Sequence, residues 1–113
     1  MSRIGGNTTI MIQTQTGTET NAIGENVGVY EDAQEIFGWL DTMGGGTGYT
    51  VYNAKIQEST HVFLADYEPL KEGITAEACR AIHDGKVYDV TYIDDPMGMH
   101  KHLEIFLKLT GGQ

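Results

Sequence analysis

The chain has 113 residues, with 7 Lys plus Arg against 16 Asp plus Glu, for a formal charge of -9. That length fits one domain spanning 1–113, since area scaling lets such a chain remove roughly two-thirds of its extended surface from water, enough for a single modest core. A lone Cys79 excludes an internal disulfide or a multi-cysteine zinc site and favours a reducing compartment, and short apolar runs behind Met1-Ser2-Arg3 give no expectation of a membrane span or a leader.

The first periodic segment is Thr8 to Thr14, where Ile10 and Ile12 share one strand face and Thr9 and Gln13 the other. From 15 to 29 the chain lacks an apolar period and carries Gly17, Asn21, Gly24, Asn26 and Gly28, which predicts a long flexible connection. Glu35 to Thr42 alternates again, with Ile36, Gly38 and Leu40 opposed to Phe37, Trp39 and Asp41, and predicts a second strand. The glycines of Met43-Gly44-Gly45-Gly46-Thr47-Gly48 release the backbone, so 42–52 reads as a second flexible loop. A short helix is expected over Tyr49 to Ser59 from the i, i+4 spacing of Tyr52 and Ile56.

Thr60 to Ala65 predicts a strand ending at Asp66, which Pro69 keeps from continuing. Lys71 to Ala78 reads as turn, with one helical turn capped by Thr75. Cys79 to His83 and Lys86 to Ile93 flank Asp84-Gly85, the dipeptide of a two-residue type I′ hairpin. Past Asp94-Asp95-Pro96, the stretch His100 to Thr110 sets Leu103, Ile105, Leu107 and Leu109 against His102, Glu104, Phe106 and Lys108, a long central strand. The fold expected is mainly β: a small antiparallel β-barrel of five to six strands with one short helix and long glycine-rich loops, closed so that few strand edges stay open.

Several segments in their order carry a resemblance. They are Thr9-Ile10-Met11-Ile12, Trp39, Thr60-His61-Val62-Phe63, His83-Asp84-Gly85-Lys86-Val87-Tyr88-Asp89-Val90, Asp94-Asp95-Pro96 and Leu103-Glu104-Ile105. Together they cover nearly the whole chain, and the set resembles the head-tail adaptor family of long-tailed double-stranded DNA phages, also called head-closure, stopper or head-tail joining proteins. Where family members often carry a more polar stretch after the tryptophan strand, this chain has Gly44-Gly45-Gly46.

The resemblance implies a structural virion protein of the phage neck, made in the bacterial host cytoplasm. It would form a homo-oligomeric ring with the portal or adaptor protein on the head side and the tail terminator or tail tube on the tail side. It also implies that, as in some members, the loop after the second strand reaches toward the axis and helps close the DNA channel after genome packaging, the role of a stopper. Here that loop is Thr42, Met43, Gly44, Gly45, Gly46, Thr47, Gly48, Tyr49 and Tyr52, with the two tyrosines expected to touch a neighbouring subunit.

Charge and glycine agree with that implication. A surface with the sign of the phosphates lets double-stranded DNA pass without specific binding, whereas a DNA-gripping domain gathers Lys and Arg into a stripe, and here they are scattered. A glycine-rich segment exchanges between ordered and retracted arrangements at low steric cost. Two other readings share the strand count: a small oligonucleotide-binding barrel with exposed aromatics, and a tail-completion or terminator ring.

Sharper chemistry finds little to stand on. Cys79 and His83 on one strand and His100 and His102 on another can be drawn as a zinc site, but their spacing matches no zinc pattern and Cys79 reads better as a small core residue. Asp94-Asp95 near Gly98 lacks the oxygen array of a calcium loop. No nucleophile with base and orienting acid is visible, and the Gly44 to Gly48 run lacks the Lys-Ser/Thr ending of a phosphate loop, so the expectation is a non-enzyme without cofactor or metal.

Overall fold

Strand alternation accounts for nearly every element of the computed structural model, which describes residues 4–42, 59–76 and 78–112. Six strands follow in order: β1 (Thr8–Thr20), β2 (Asn26–Thr42), β3 (His61–Asp66), β4 (Cys79–His83), β5 (Lys86–Asp94) and β6 (His102–Gly112). All neighbours are antiparallel, and the spatial order β1-β2-β3-β6-β5-β4 closes on itself through the pairing of Met11–Thr14 with Ile82–Cys79. Closure gives each strand of the barrel wall two partners, which removes the open edges an isolated sheet would present.

Inward positions follow the alternation. Ile10, Ile12, Ile36, Phe63, Ala65, Ala81, Tyr88, Val90, Leu103, Ile105 and Leu107 are buried in one cluster. Gly38 belongs to it because the Phe63 ring lies across its inner side; a Cβ there would meet Leu64 O at 2.2 Å. On the other side of the same residue, Gly6 approaches so closely that its own Cβ would sit 2.5 Å from Gly38 Cα, and Asn7 N–H donates to Gly38 O at 2.9 Å. Residues 4–7 thus cross the outside of the wall, held also by the Trp39 Nε1–H bond to Ile4 O (2.9 Å) and by Ile4 N–H and Gly5 N–H to the Asp66 carboxylate.

The Asp84-Gly85 turn is as expected, with φ of 50° and 76° at its two central residues, the type I′ pattern that matches strand twist. A bulge at Thr91 shifts β5 against β6 between Val90 and Tyr92. Val90 therefore faces inward and so does Ile93, three residues later, which strict alternation does not predict. Thr91 is buried at the bulge, its hydroxyl donating to Phe106 O (3.1 Å) and sharing a hydrogen bond with Ser59 Oγ. Phe106 points outward by register, as the alternation says, yet it is 1% exposed, beside the equally buried Val62. A second small buried group thus lies on the outer side of the wall.

One expectation is overturned. Residues 15–29 are not a long connection: Gln15 to Thr20 and Asn26 to Val29 are paired strand, continuing the β1–β2 ladder to Thr20↔Asn26 with a tight turn over Asn21 to Glu25. The apolar period is missing because neither face of this hairpin is buried, and the alternating Thr16, Thr18 and Thr20 supply β-branched side chains that suit a solvated ribbon. The short helix expected over Tyr49 to Ser59 falls, up to residue 58, outside the described residues. Among the described residues the helical element is a single 3-10 turn, Pro96–Gly98, and no helix is long and apolar enough to cross a membrane. The stretch after Lys71 is turn, as expected, but the helical turn capped by Thr75 is not seen among its described residues, where Ile74 N–H donates to Lys71 O and Ala78 N–H to Thr75 O.

Candidate functional site: two rims and a projecting hairpin

Strand ends divide the barrel into two rims. One gathers Thr8, Thr42, His61, His83, Lys86 and the last residues of β6; the other gathers Thr14, Asp66, Cys79, Asp94 and His102. The hairpin of β1 and β2 leaves from the second rim, because β4 stops pairing with β1 at Thr14 while the β1–β2 ladder runs on. We call residues 15–30 the arm.

The arm is anchored at its root and shaped at its tip. Arg80 Nε–H donates to Gln13 Oε1 (2.8 Å), Gln13 Nε2 donates to Asp32 Oδ1 (2.8 Å), and the Arg80 guanidinium lies 4.0 Å from the Tyr30 ring centroid. At the tip, Asn21 Oδ1 accepts from Ile23 N–H (3.1 Å) and Glu25 N–H (2.9 Å), while Asn21 N–H donates to Glu25 O at 2.8 Å. This side-chain turn orders the loop and leaves Ile23 80% exposed.

The first rim carries a small basic and histidine group. His83 Nε2 shares a hydrogen bond with Thr8 Oγ1 (3.0 Å), and the His61 ring packs edge-on to Tyr88 with centroids 5.1 Å apart. Burial holds the His61 pKa below its ordinary 6.5, helped by the positive charges of Lys86 and His83. Lys108 stands opposite Asp89 on the adjoining strands. The second rim is richer in acids: Asp94, Asp95, Glu68, Glu72 and Glu104 join Glu31 at the root of the arm and the arm's own Glu19 and Glu25, against Lys71, Arg80 and Lys101. Some are already engaged, Asp95 with His100 Nδ1 and Glu104 with His102 Nε2.

A sequence profile of the phage head completion proteins matches residues 1–110. The chain belongs to that family. In three dimensions it is similar to a chain in the virion of the native gene transfer agent particle, with a TM-score of 0.57 over 94% of this chain and 96% of that one, at 9% identity, a likeness of fold. Among curated proteins none matches in sequence. As a head completion protein, the chain is a structural component of the virion associated with other virion proteins, as the resemblance implied.

The predicted site residues are only partly placed. Thr42 ends β2 at the first rim, exposed and opposite His61. Met43, Gly44, Gly45, Gly46, Thr47, Gly48, Tyr49 and Tyr52 lie outside the described residues. Cys79 and His83 end opposite rims of β4, so they do not converge. Cys79 is buried, its thiol donates to Thr75 O (3.0 Å), and burial pushes its pKa up to about 11, the setting of a packing residue rather than a nucleophile. Among the described residues no three His, Cys, Asp or Glu side chains gather as metal ligands would.

Of the aromatics, Phe63 and Tyr88 are core, Tyr92 is half-buried on β5, as strand packing predicts, and Tyr67, just past β3, is half-buried against the His100 ring. Phe37 and Trp39 are the exceptions, 54% and 40% exposed at adjacent outward positions of β2, an apolar pair of the kind found where proteins meet. The arm escaped sequence reasoning, although Asn21 four residues before Glu25 between threonines and valines was its turn signal.

Proposed function

We propose that this head completion protein works as a ring in the neck, joining the DNA-filled head to the tail and helping to hold the packaged DNA. The observation that carries the proposal is the family match over residues 1–110 together with a closed barrel whose two rims differ, since a subunit placed between two unlike neighbours needs two unlike ends. Portal or adaptor protein would meet it on the head side and tail terminator or tail tube on the tail side. The segment from Thr42 to Tyr52 is proposed to face the channel, because it joins the ends of β2 and β3 at one rim and its glycines allow close approach to a passing duplex.

The net charge of -9 supports a passage that does not hold DNA. Electron microscopy of particles made without the protein tests the reading: filled heads that lose DNA, and separate tails, are expected, and intact infectious particles would refute it. Shortening Gly44 to Gly48 should leave the barrel's melting temperature in place and reduce DNA retention. Capture of purified tail tube rather than the head-side adaptor would move the ring to the tail end, as a completion or terminator ring.

A further inference from the structure

The arm is ordered without being buried. Residues 15–20 and 22–28 are exposed throughout, so this stretch adds almost no apolar burial to the free subunit, and a two-stranded ribbon in water is marginal on its own. It is nevertheless held at both ends, by the bonds among Arg80, Gln13 and Asp32 at the root and by the Asn21 turn at the tip. The turn engages the backbone N–H of Ile23 and not its side chain, so nothing in the turn calls for an isoleucine, yet one stands there 80% exposed. Among the described residues, the outer edge of β1 from Gln15 to Thr20 and that of β2 from Asn26 to Glu31 have no ladder partner. Neither edge carries the lysine or proline that commonly keeps other chains away. A braced, projecting ribbon with an apolar tip and open edges has the form of a docking element.

Charge decides what docks. From Ile4 to Thr42 the chain has Glu19, Glu25, Glu31, Asp32, Glu35 and Asp41 and no Lys or Arg. The acids of the second rim and arm outnumber Lys71, Arg80 and Lys101, and Arg80 is already engaged with Gln13 and Tyr30. A DNA duplex has the same sign and is repelled from this end. A second copy fits no better. Paired arms would set Glu19 and Glu25 against their like, and on the first rim Lys86 and Lys108 are matched by Asp41, Asp84 and Asp89, with Asp89 directly opposite Lys108. The complement is a cationic surface on another protein, and a head completion protein has other virion proteins as its neighbours.

We infer that the arm grips a different virion protein, one that sets Lys and Arg side chains beside Glu19 and Glu25 and offers an apolar recess to Ile23. Such a contact combines an apolar centre with a charged rim, the usual anatomy of a specific interface. The inference rests on the reading that unlike neighbours meet the two rims, and it adds the chemistry of the neighbour at the second.

The test uses the full-length chain in assembled particles. Ile23→photo-leucine places a light-activated group at the tip, and mass spectrometry identifies the peptide it captures. The expected product is a peptide of another virion protein with Lys or Arg close to the point of attachment. E19K/E25K should lower the copies of this chain per particle about tenfold or more, as like charges meet across the contact, and E19Q/E25Q should lower them less. Circular dichroism and thermal melting should show both variants folded as the wild type is, because the exposed arm is no part of the core. Cross-links only to another copy of this chain or to DNA, a captured surface without Lys or Arg, or no cross-link from particles that contain the chain overturn the inference. So does full incorporation of the E19K/E25K chain. The ring reading fails separately: imaging that places the chain outside the neck defeats it, whatever the tip captures.

Discussion

Strands β1 and β2 run through two environments, and the same backbone ladder serves both. In the barrel their inward residues Ile10, Ile12 and Ile36 are buried, while in the arm Thr18, Thr20 and Val27 occupy ladder positions in contact with water. Backbone pairing thus continues where side-chain burial stops. The barrel holds itself together by removing apolar area from water, at about 25 cal/mol per Å2. The arm has ladder bonds, a root clamp and a shaped tip in place of that burial.

The largest expected contrast is between two isoleucines. Ile12→Ala in the core should cost about 2–5 kcal/mol through lost burial and the cavity left behind. At roughly 4 °C per kcal/mol for a domain of this size, the melting temperature should fall by about 10 °C or more. Ile23→Ala at the tip should change stability by less than about 0.5 kcal/mol. Equal shifts in a thermal melt would mean that the arm folds as part of the core and that the division is wrong.

Glycine sharpens the same contrast. Gly38→Ala would drive a methyl against Leu64 O and the Phe63 ring, and the backbone oxygen cannot rotate away. Overpacking of this kind costs about 1–3 kcal/mol or more. Gly17→Ala meets nothing within 4 Å, and by restricting the unfolded chain it should be neutral or stabilising by up to about 1 kcal/mol. Urea unfolding of the two variants measures both, and a tolerated Gly38→Ala would show that the crossing of Gly6, Gly38 and Phe63 has slack.

These contrasts explain what was legible in the chain. Ile10 and Ile12, the Trp39 strand and the Leu103 to Leu107 alternation were readable because burial on one face writes a period-two pattern, and Asp84-Gly85 because the dipeptide supplies the positive φ of a type I′ turn. The arm was hidden for the complementary reason: with both faces solvated, selection leaves no apolar period, and its glycines imitate a loop. The Thr91 bulge was hidden too, since an inserted residue is a property of the pairing and shows only once β6 is in place. Of the candidate site, Thr42 was placed on the first rim. The contributions of His61, His83 and Lys86 come from three strand ends far apart in sequence, and only closure of the barrel brings them together.

A smaller effect is expected at the root of the arm. Arg80→Ala removes the hydrogen bond to Gln13 Oε1 and the stacking on Tyr30. An exposed cation–π contact is worth about 0.5–1 kcal/mol, so global stability should move little. The amides of residues 15–30 should nevertheless exchange faster with deuterium while those of Ile10, Ile12 and Ile36 keep their protection. Uniform loss of protection would show that Arg80 supports the barrel rather than the attachment of the arm.

The smallest expected effect is the response to acid. His61 is held below the usual histidine value by burial first and by Lys86 and His83 second. Its proton is taken up more readily by the unfolded chain, so the unfolded state binds more protons wherever the pH lies between the two values. The stability tied to neutral His61 is full above pH 6.5 and is lost as the pH falls through the lowered folded value; below that value the penalty is constant. His61→Gln keeps a polar group at the rim and removes the titration. Urea midpoints should therefore fall more steeply with acid for the wild-type chain than for the variant just below pH 6.5. The arm contains no histidine, so its deuterium exchange, corrected for the intrinsic pH dependence of amides, should be the same in both proteins. Parallel acid slopes would mean that the rim tolerates a charged His61, and that the two ends of the barrel differ less in electrostatics than their side chains imply.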